Sequence, residues 1–221
     1  MSFLISFKFL KMLRNLFCFV LIVFFFSSCA KNSSDLKRNY DENSKDIKEL
    51  KEYFNKIVPK GYIVTIRYGS SDEVDLKVYE PTDVPSKIAL LFRQWDIDFE
   101  DYLEPEKLEY EKKDYDPKTN SLALVKKKLK WNNDTFNELY EKLENANCIG
   151  ITNGNPTEVE YGYRGMGVMN YLLFDNNLTE EEQKENSNDC SKMFYKDNIV
   201  FTFSPGGIGS FCIPDFKRTK K

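Results

Sequence analysis

Apolar side chains recur along this chain with two periods. After Asn43 or Ser44, Ile47, Leu50, Phe54 and Ile57 fall at helical spacing, and Lys45/Glu49, Lys48/Glu52 and Glu52/Lys56 stand four apart on the outside. Pro59 and Gly61 close that segment. A second run, capped by Asn133 or Asp134, carries Phe136, Leu139, Tyr140, Leu143 and Ala146 on one side, with Glu138/Lys142 supporting it from outside. Both segments read as amphipathic helices. The spacing of Ile88, Leu91, Phe92 and Trp95 predicts a third, shorter helix opening at Pro85 and Ser86.

The other period is two. Tyr62, Val64, Ile66 and Tyr68 alternate with Ile63, Thr65 and Arg67, and Val74, Leu76 and Val78 alternate with Glu73, Asp75 and Lys77. With Gly69-Ser70-Ser71 between them, these form a hairpin with one buried face. From Asn147 the strand pattern returns: Cys148 to Thr152, a Gly154-Asn155-Pro156 turn, Val159/Tyr161/Tyr163 against Glu158/Glu160, then Val168 to Phe174. Lys192 to Lys196 and Ile199 to Phe203 flank the hairpin signal Asp197-Asn198, and a last strand is predicted near Ser210 to Ile213. Two segments interrupt the pattern. Asp96 to Asn120 is acidic and irregular, with a strand or excursion around Phe99 to Leu103, and Asp175 to Asp189 is a polar insertion with a Glu-rich helical turn after Thr179. The fold class is therefore α+β, with amphipathic helices packed on an antiparallel β-meander sheet. Helix followed by meander occurs twice, at 44–79 and 134–213. The pattern fits two similar halves, 44–120 and 121–221, and fits equally one sheet over 44–221.

The first thirty residues have a different logic. Lys8, Lys11 and Arg14 precede a charge-free run from Leu16 to Phe26, too short for the roughly 20 residues that span a bilayer, and Ser27-Ser28-Cys29-Ala30 follows. This order resembles bacterial lipoprotein precursors, in which a peptidase cuts before a Cys preceded by small residues and the thiol is acylated. Phe26 stands where that class usually has Leu. The resemblance implies a signal peptide over 1–28, lipidation of Cys29 and attachment to a lipid membrane in the cell envelope. Met12 is an alternative start that leaves the mature chain unchanged. Ala30 is not the Asp that resembles an inner-membrane retention signal, so the outer membrane is favoured where a cell has one, and the outer face of the cell membrane otherwise. Residues 29–43, polar apart from Leu36 and Tyr40, read as the lipidated Cys and a flexible tether. The resemblance carries no activity with it.

Composition then narrows the partners. The whole chain has net charge −3, and the leader removes three cations and no carboxylate, so the remainder is more acidic still. A mildly acidic body argues against nucleic acid, whose binders need a basic stripe. Aromatic residues make up 15% of the chain, and most of those beyond the leader sit at strand or helix spacing, which assigns them to a core rather than a binding face. Beyond Cys29 three cysteines remain. In an oxidising compartment Cys190 and Cys212, flanking a hairpin, are the expected disulfide, which leaves Cys148 as a buried free thiol at the start of a strand.

Candidate chemistry is shaped by the absence of histidine from all 221 residues. Ser-His-Asp and Cys-His triads are excluded, as are His-bearing zinc sites. Asp96, Asp98 and Glu100 share a face if extended and could hold calcium or supply an acid/base pair for glycan cleavage. Read as an EF-hand loop the segment fails, because Asp101 occupies the Gly position and Lys107 the Glu position, and an exposed acidic strand is the better reading. Ser34-Asp35-Leu36-Lys37 matches S-x-x-K inside the tether, with no K-T-G after it, and the glycine-rich 205–210 segment reads as a turn between strands. Arg164 beside Tyr161 and Tyr163 is a candidate interface. No specific catalytic motif emerges, and no cofactor other than the calcium option. The expectation is a membrane-anchored envelope lipoprotein that binds another envelope or secreted protein, as an inhibitor, an immunity protein or a subunit of an envelope complex. The alternative is a carboxylate-dependent glycan-acting envelope hydrolase or a glycan-binding protein.

Overall fold

The computed structural model describes residues 32–71, 73–82, 87–98, 122–206 and 212–213. The leader, Cys29 and the segment 99–121 lie outside them. In chain order the elements are α1 (Ser33–Ile57), β1 (Ile63–Tyr68), β2 (Glu73–Pro81), β3 (Ile88–Asp98), α2 (Leu122–Leu129), α3 (Asn133–Asn145), β4 (Gly150–Thr152), β5 (Thr157–Arg164), β6 (Gly167–Leu173), α4 (Glu180–Glu185), β7 (Lys192–Lys196) and β8 (Ile199–Ser204). The strands form one antiparallel sheet of eight in the order β3-β2-β1-β4-β5-β6-β8-β7. The fold is thus α+β, and the choice between two halves and one sheet falls to the sheet. Thr65, Ile66 and Arg67 of β1 pair with Thr152, Ile151 and Gly150 of β4, so the first hairpin and the later meander share one ladder.

Period-two patterning decides which face is covered. Val64, Ile66 and Tyr68 of β1 and Val74, Leu76 and Val78 of β2 are buried, while the residues between them are not. With Ile151, Val159, Met169, Tyr171, Phe201 and Phe203 they form a continuous core that also takes in Leu36, Tyr40, Ile47, Leu50 and Phe54 of α1 and Phe136, Leu139 and Leu143 of α3. Aromatic rings interlock at both ends of this core: Phe136 lies edge-on to Trp131, and Tyr171 meets Tyr40 and Phe201 with centroids 5.5 Å away in each case. Polar atoms carried into it are partnered. Tyr68 Oη donates to the Phe136 carbonyl at 2.7 Å, and Trp131 Nε1 donates to the Ile57 carbonyl at 3.1 Å.

Three expectations are corrected by the structure. Residues 33–43 are no tether: they form the first half of α1, started by a capping box between Asn32 and Asp35. Leu36 and Tyr40 stand four apart and so share one face, on which both are buried, and Asn39 goes in with them. Asn39 Nδ2 donates to Tyr171 Oη at 3.0 Å, its Oδ1 accepts from Asn147 Nδ2 at 2.6 Å, and Tyr171 Oη donates to the Leu36 carbonyl at 2.9 Å. The cap expected at Asn43 is instead a kink, with φ −115° and ψ 18° inside the helix. Second, the helix expected through Ile88, Leu91, Phe92 and Trp95 is strand β3. Its register against β2 slips between Val74 and Leu76 and again between Val78 and Tyr79, each time with an additional residue on β3. Two such bulges stretch an alternating pattern until it imitates helical spacing. Third, Tyr161 is buried, because it alternates in phase with Val159 onto the core side, its ring 6.0 Å from that of Tyr171, and the bulge of β5 between Glu160 and Gly162 then turns Tyr163 to the opposite face. Helix α2 was not anticipated at all.

The disulfide between Cys190 and Cys212 is present, with Cα atoms 4.6 Å apart, and Cys148 is free and buried, just ahead of β4. Of the expected last strand only Cys212 and Ile213 are described. They are not in a strand, but the Ile213 N–H donates to the Cys190 carbonyl at 2.7 Å. No helix among the described residues is long and apolar enough to cross a membrane.

Candidate functional site

Helices α1, α2 and α3 cover one face of the sheet. On the opposite face, over β1 to β5, the side chains at alternate positions are polar, and cross-strand register arranges them in rows. One row runs Arg93, Lys77, Thr65, Thr152, Glu158 from β3 to β5. The next runs Asp75, Arg67, Gly150, Glu160. Apart from Gly150, these residues line a cleft of about 260 Å³ together with Leu76, Gln94 and Trp95.

At its centre lies an ion pair that bridges a strand. Arg67 sits on β1 and Glu160 on β5, with β4 between them, and the β4 residue in that row is Gly150. Without a side chain there the two groups meet: Arg67 donates through Nε and through an Nη, the latter at 2.8 Å, to the two oxygens of Glu160. A Cβ on Gly150 would come 3.0 Å from Glu160 Oε2 and 2.8 Å from the Ile66 carbonyl oxygen. A second carboxylate, Asp75, is 3.8 Å from Arg67 on the other side. Burial opposes the charge on Arg67, but the Glu160 carboxylate outweighs it and holds the guanidinium above its ordinary value. Glu158 faces the opposite balance. Burial and then the neighbouring Glu160 raise its carboxyl above the usual value, although Arg67 pulls the other way. Thr152 Oγ1 donates to Thr65 Oγ1 at 2.9 Å, which closes the floor between the rows.

The rim is aromatic and apolar. Arg67 lies over the ring of Tyr163 at 5.5 Å, Lys77 over Tyr79 at 4.8 Å and Arg93 over Trp95 at 4.8 Å. Trp95, Tyr163 and Met166 are about half exposed or more. Such a face offers rigid rings, fixed charges and hydroxyls to a ligand, the composition of a recognition surface.

The residues singled out from sequence are dispersed. Asp96 and Asp98 occupy the last turns of the β3 ladder, Asp98 opposite Glu73, and Glu100 lies outside the described residues. Among the described residues no three His, Cys, Asp or Glu gather where they could hold a metal ion. Ser34 and Lys37 sit in α1: the hydroxyl of Ser34 donates to the capping Asn32, and Lys37 is paired with Asp41 at 2.7 Å. Of the candidate interface, Tyr163 is on the open face and Arg164 ends β5, but Tyr161 is on the core side. The Arg67, Glu158, Glu160 cluster was not foreseen. Its members stood on the polar side of alternating strands, but only the pairing of β1 with β4 makes them neighbours.

No family model, curated protein or solved structure gives a significant match to this chain.

Proposed function

We propose that the protein is a lipid-anchored envelope module, held to the membrane through acylated Cys29, that binds another envelope or secreted protein through the open face of its sheet and catalyses no reaction. The observation that carries this reading is the face itself. A sheet buried on one side by α1 and α3 presents Trp95 at 51% exposure in the lining of a cleft with a fixed ion pair at its centre, and Tyr163 at 50% beneath the Arg67 of that pair. Exposed Trp and Tyr side chains are enriched at protein interfaces, where such anchors carry much of the binding energy. The basic leader, the charge-free run and Ser27-Ser28-Cys29 support the anchor.

An inhibitor, an immunity protein and a subunit of an envelope complex would all use a face of this kind. Glu160 has both oxygens committed to Arg67 and so is held as one half of an ion pair rather than as a free acid or base. The test has two parts. Mass spectrometry of the mature N-terminus should find acyl groups on Cys29, and Cys29→Ala should move the protein out of the membrane fraction. Trp95→Ala/Tyr163→Ala should weaken a captured partner by about 2 kcal/mol or more with the fold intact. A Cys29→Ala protein that stays membrane-bound and unprocessed would dispose of the anchor, and undiminished capture would dispose of the face.

A further inference from the structure

The chemistry of the partner is written at the β2–β3 end of the open face. Lys77 and Arg93 stand directly opposite each other across the two strands and share that face. Like charges so placed repel. The other cation of the cleft, Arg67, is matched by Glu160 and Asp75. Among the described residues Lys77 and Arg93 have no carboxylate. Each rests instead on the aromatic ring two residues further along its own strand, Lys77 on Tyr79 and Arg93 on Trp95, at 4.8 Å in both cases. A ring stabilises a cation without neutralising it. In a chain of net charge −3, this is an opposed pair of cations with no carboxylate paired to it among the described residues.

What lies beside the pair decides the class of ligand. Register places Leu90 opposite Tyr79 and Ile88 opposite Pro81, on the same face as Lys77, and they are 54% and 46% exposed. Trp95 adds a third apolar surface at 51%. A row of apolar side chains flanking a cationic notch suits a polypeptide with an acidic residue between apolar ones. The cleft, at about 260 Å³, takes single side chains and not a large rigid ligand. We infer that this end of the face recognises an acidic protein segment, with one Asp or Glu carboxylate accepting hydrogen bonds from both Lys77 and Arg93 and its apolar neighbours packing on Leu90 and Trp95. The inference rests on the binding-module reading and adds the chemistry of its partner.

The test uses the full chain in detergent micelles with 5-fluorotryptophan incorporated. The sequence has two tryptophans, half-exposed Trp95 as reporter and buried Trp131 as internal control of the fold. The probe is a synthetic Leu-Glu-Leu-Glu-Leu peptide, compared with its Gln counterpart and with oligogalacturonate. The expected result is a saturable shift of the Trp95 resonance with the Glu peptide alone, weakened by added salt and by roughly tenfold in Lys77→Gln/Arg93→Gln. Lys77→Arg/Arg93→Lys, which keeps both charges, should retain binding. Equal binding of the Gln peptide, unchanged affinity in the double Gln variant, or a response to oligogalacturonate alone would overturn the inference, the last in favour of a glycan. Cross-links in intact envelopes from a photoreactive phenylalanine placed at position 163 that persist undiminished in Lys77→Gln/Arg93→Gln would leave the binding module standing and remove only the acidic segment.

Discussion

Gly150 decides the centre of the open face by what it lacks. Arg67 and Glu160 are two strands apart and meet only because the strand between them contributes a hydrogen atom at that row. Gly150→Ala should therefore cost about 1–3 kcal/mol, since the new methyl would press on both the Ile66 carbonyl and the Glu160 carboxylate, and a thermal melt reads it directly. The pair itself is nearly enclosed, with Glu160 side-chain exposure at 9% and Arg67 at 22%. Removing one partner strands a charge, whereas removing both does not. Arg67→Met is expected to cost about 3 kcal/mol, and Arg67→Met/Glu160→Met to recover most of that loss in denaturant unfolding. Glu158 gives a pH signature. Its folded-state value is raised, so the folded protein holds that proton more tightly than the unfolded chain does, and the contribution is full below the ordinary value of 4.5 and lost as pH rises through the folded value. Glu158→Gln should accordingly raise the melting temperature at neutral pH, with the difference closing in acid. A constant difference across that range would contradict the assignment.

At the scale of elements the first half of α1 is the most instructive. As a tether it would be indifferent to mutation. As a docked helix with Leu36 fully buried, it should lose about 3 kcal/mol on Leu36→Ala, and its amides should be protected from hydrogen exchange until the core opens. A side network supports the docking. Asp41 accepts from Tyr195 Oη at 2.6 Å and from Lys196 at 3.1 Å, so the β7–β8 hairpin is fastened to the same half-helix. The hydrogen bonds from Lys37, Tyr195 and Lys196 keep the Asp41 carboxyl well below its usual range.

What could be read from the sequence follows from how each element hides its apolar side. Residues 44–57, α3 and the strands β1, β2, β5 and β6 carry enough buried positions in one period to be legible, while β7 and β8 are marked by the Asp197-Asn198 turn between them. Residues 33–43 have only Leu36 and Tyr40 to bury and use a polar residue, Asn39, for the rest, so composition alone imitates a linker. Strand β3 was misread because its two bulges mimic the helical period. The open-face cluster was half visible: alternation placed Thr65, Arg67, Glu158 and Glu160 on polar sides, but strand order is a long-range property that no local pattern carries.

For the molecule as a whole, one sheet is covered by helices on one face and left open over β1 to β5 on the other. The Cys190–Cys212 bridge closes a loop of 22 residues, worth about 3 kcal/mol on the chain-entropy account, so Cys190→Ser/Cys212→Ser should lower the denaturation midpoint by the corresponding amount under oxidising conditions. The proposed binding rests on the asymmetry between the helix-covered face and the open face over β1 to β5. The most direct measurement places a photoreactive phenylalanine at Tyr163 on the open face, and separately at Glu49 on the outer side of α1, in the full-length protein within intact envelopes. Binding through the open face predicts cross-links to one protein of defined mass from position 163 and none from position 49. Cross-links from position 49 alone, or none from either, would contradict it.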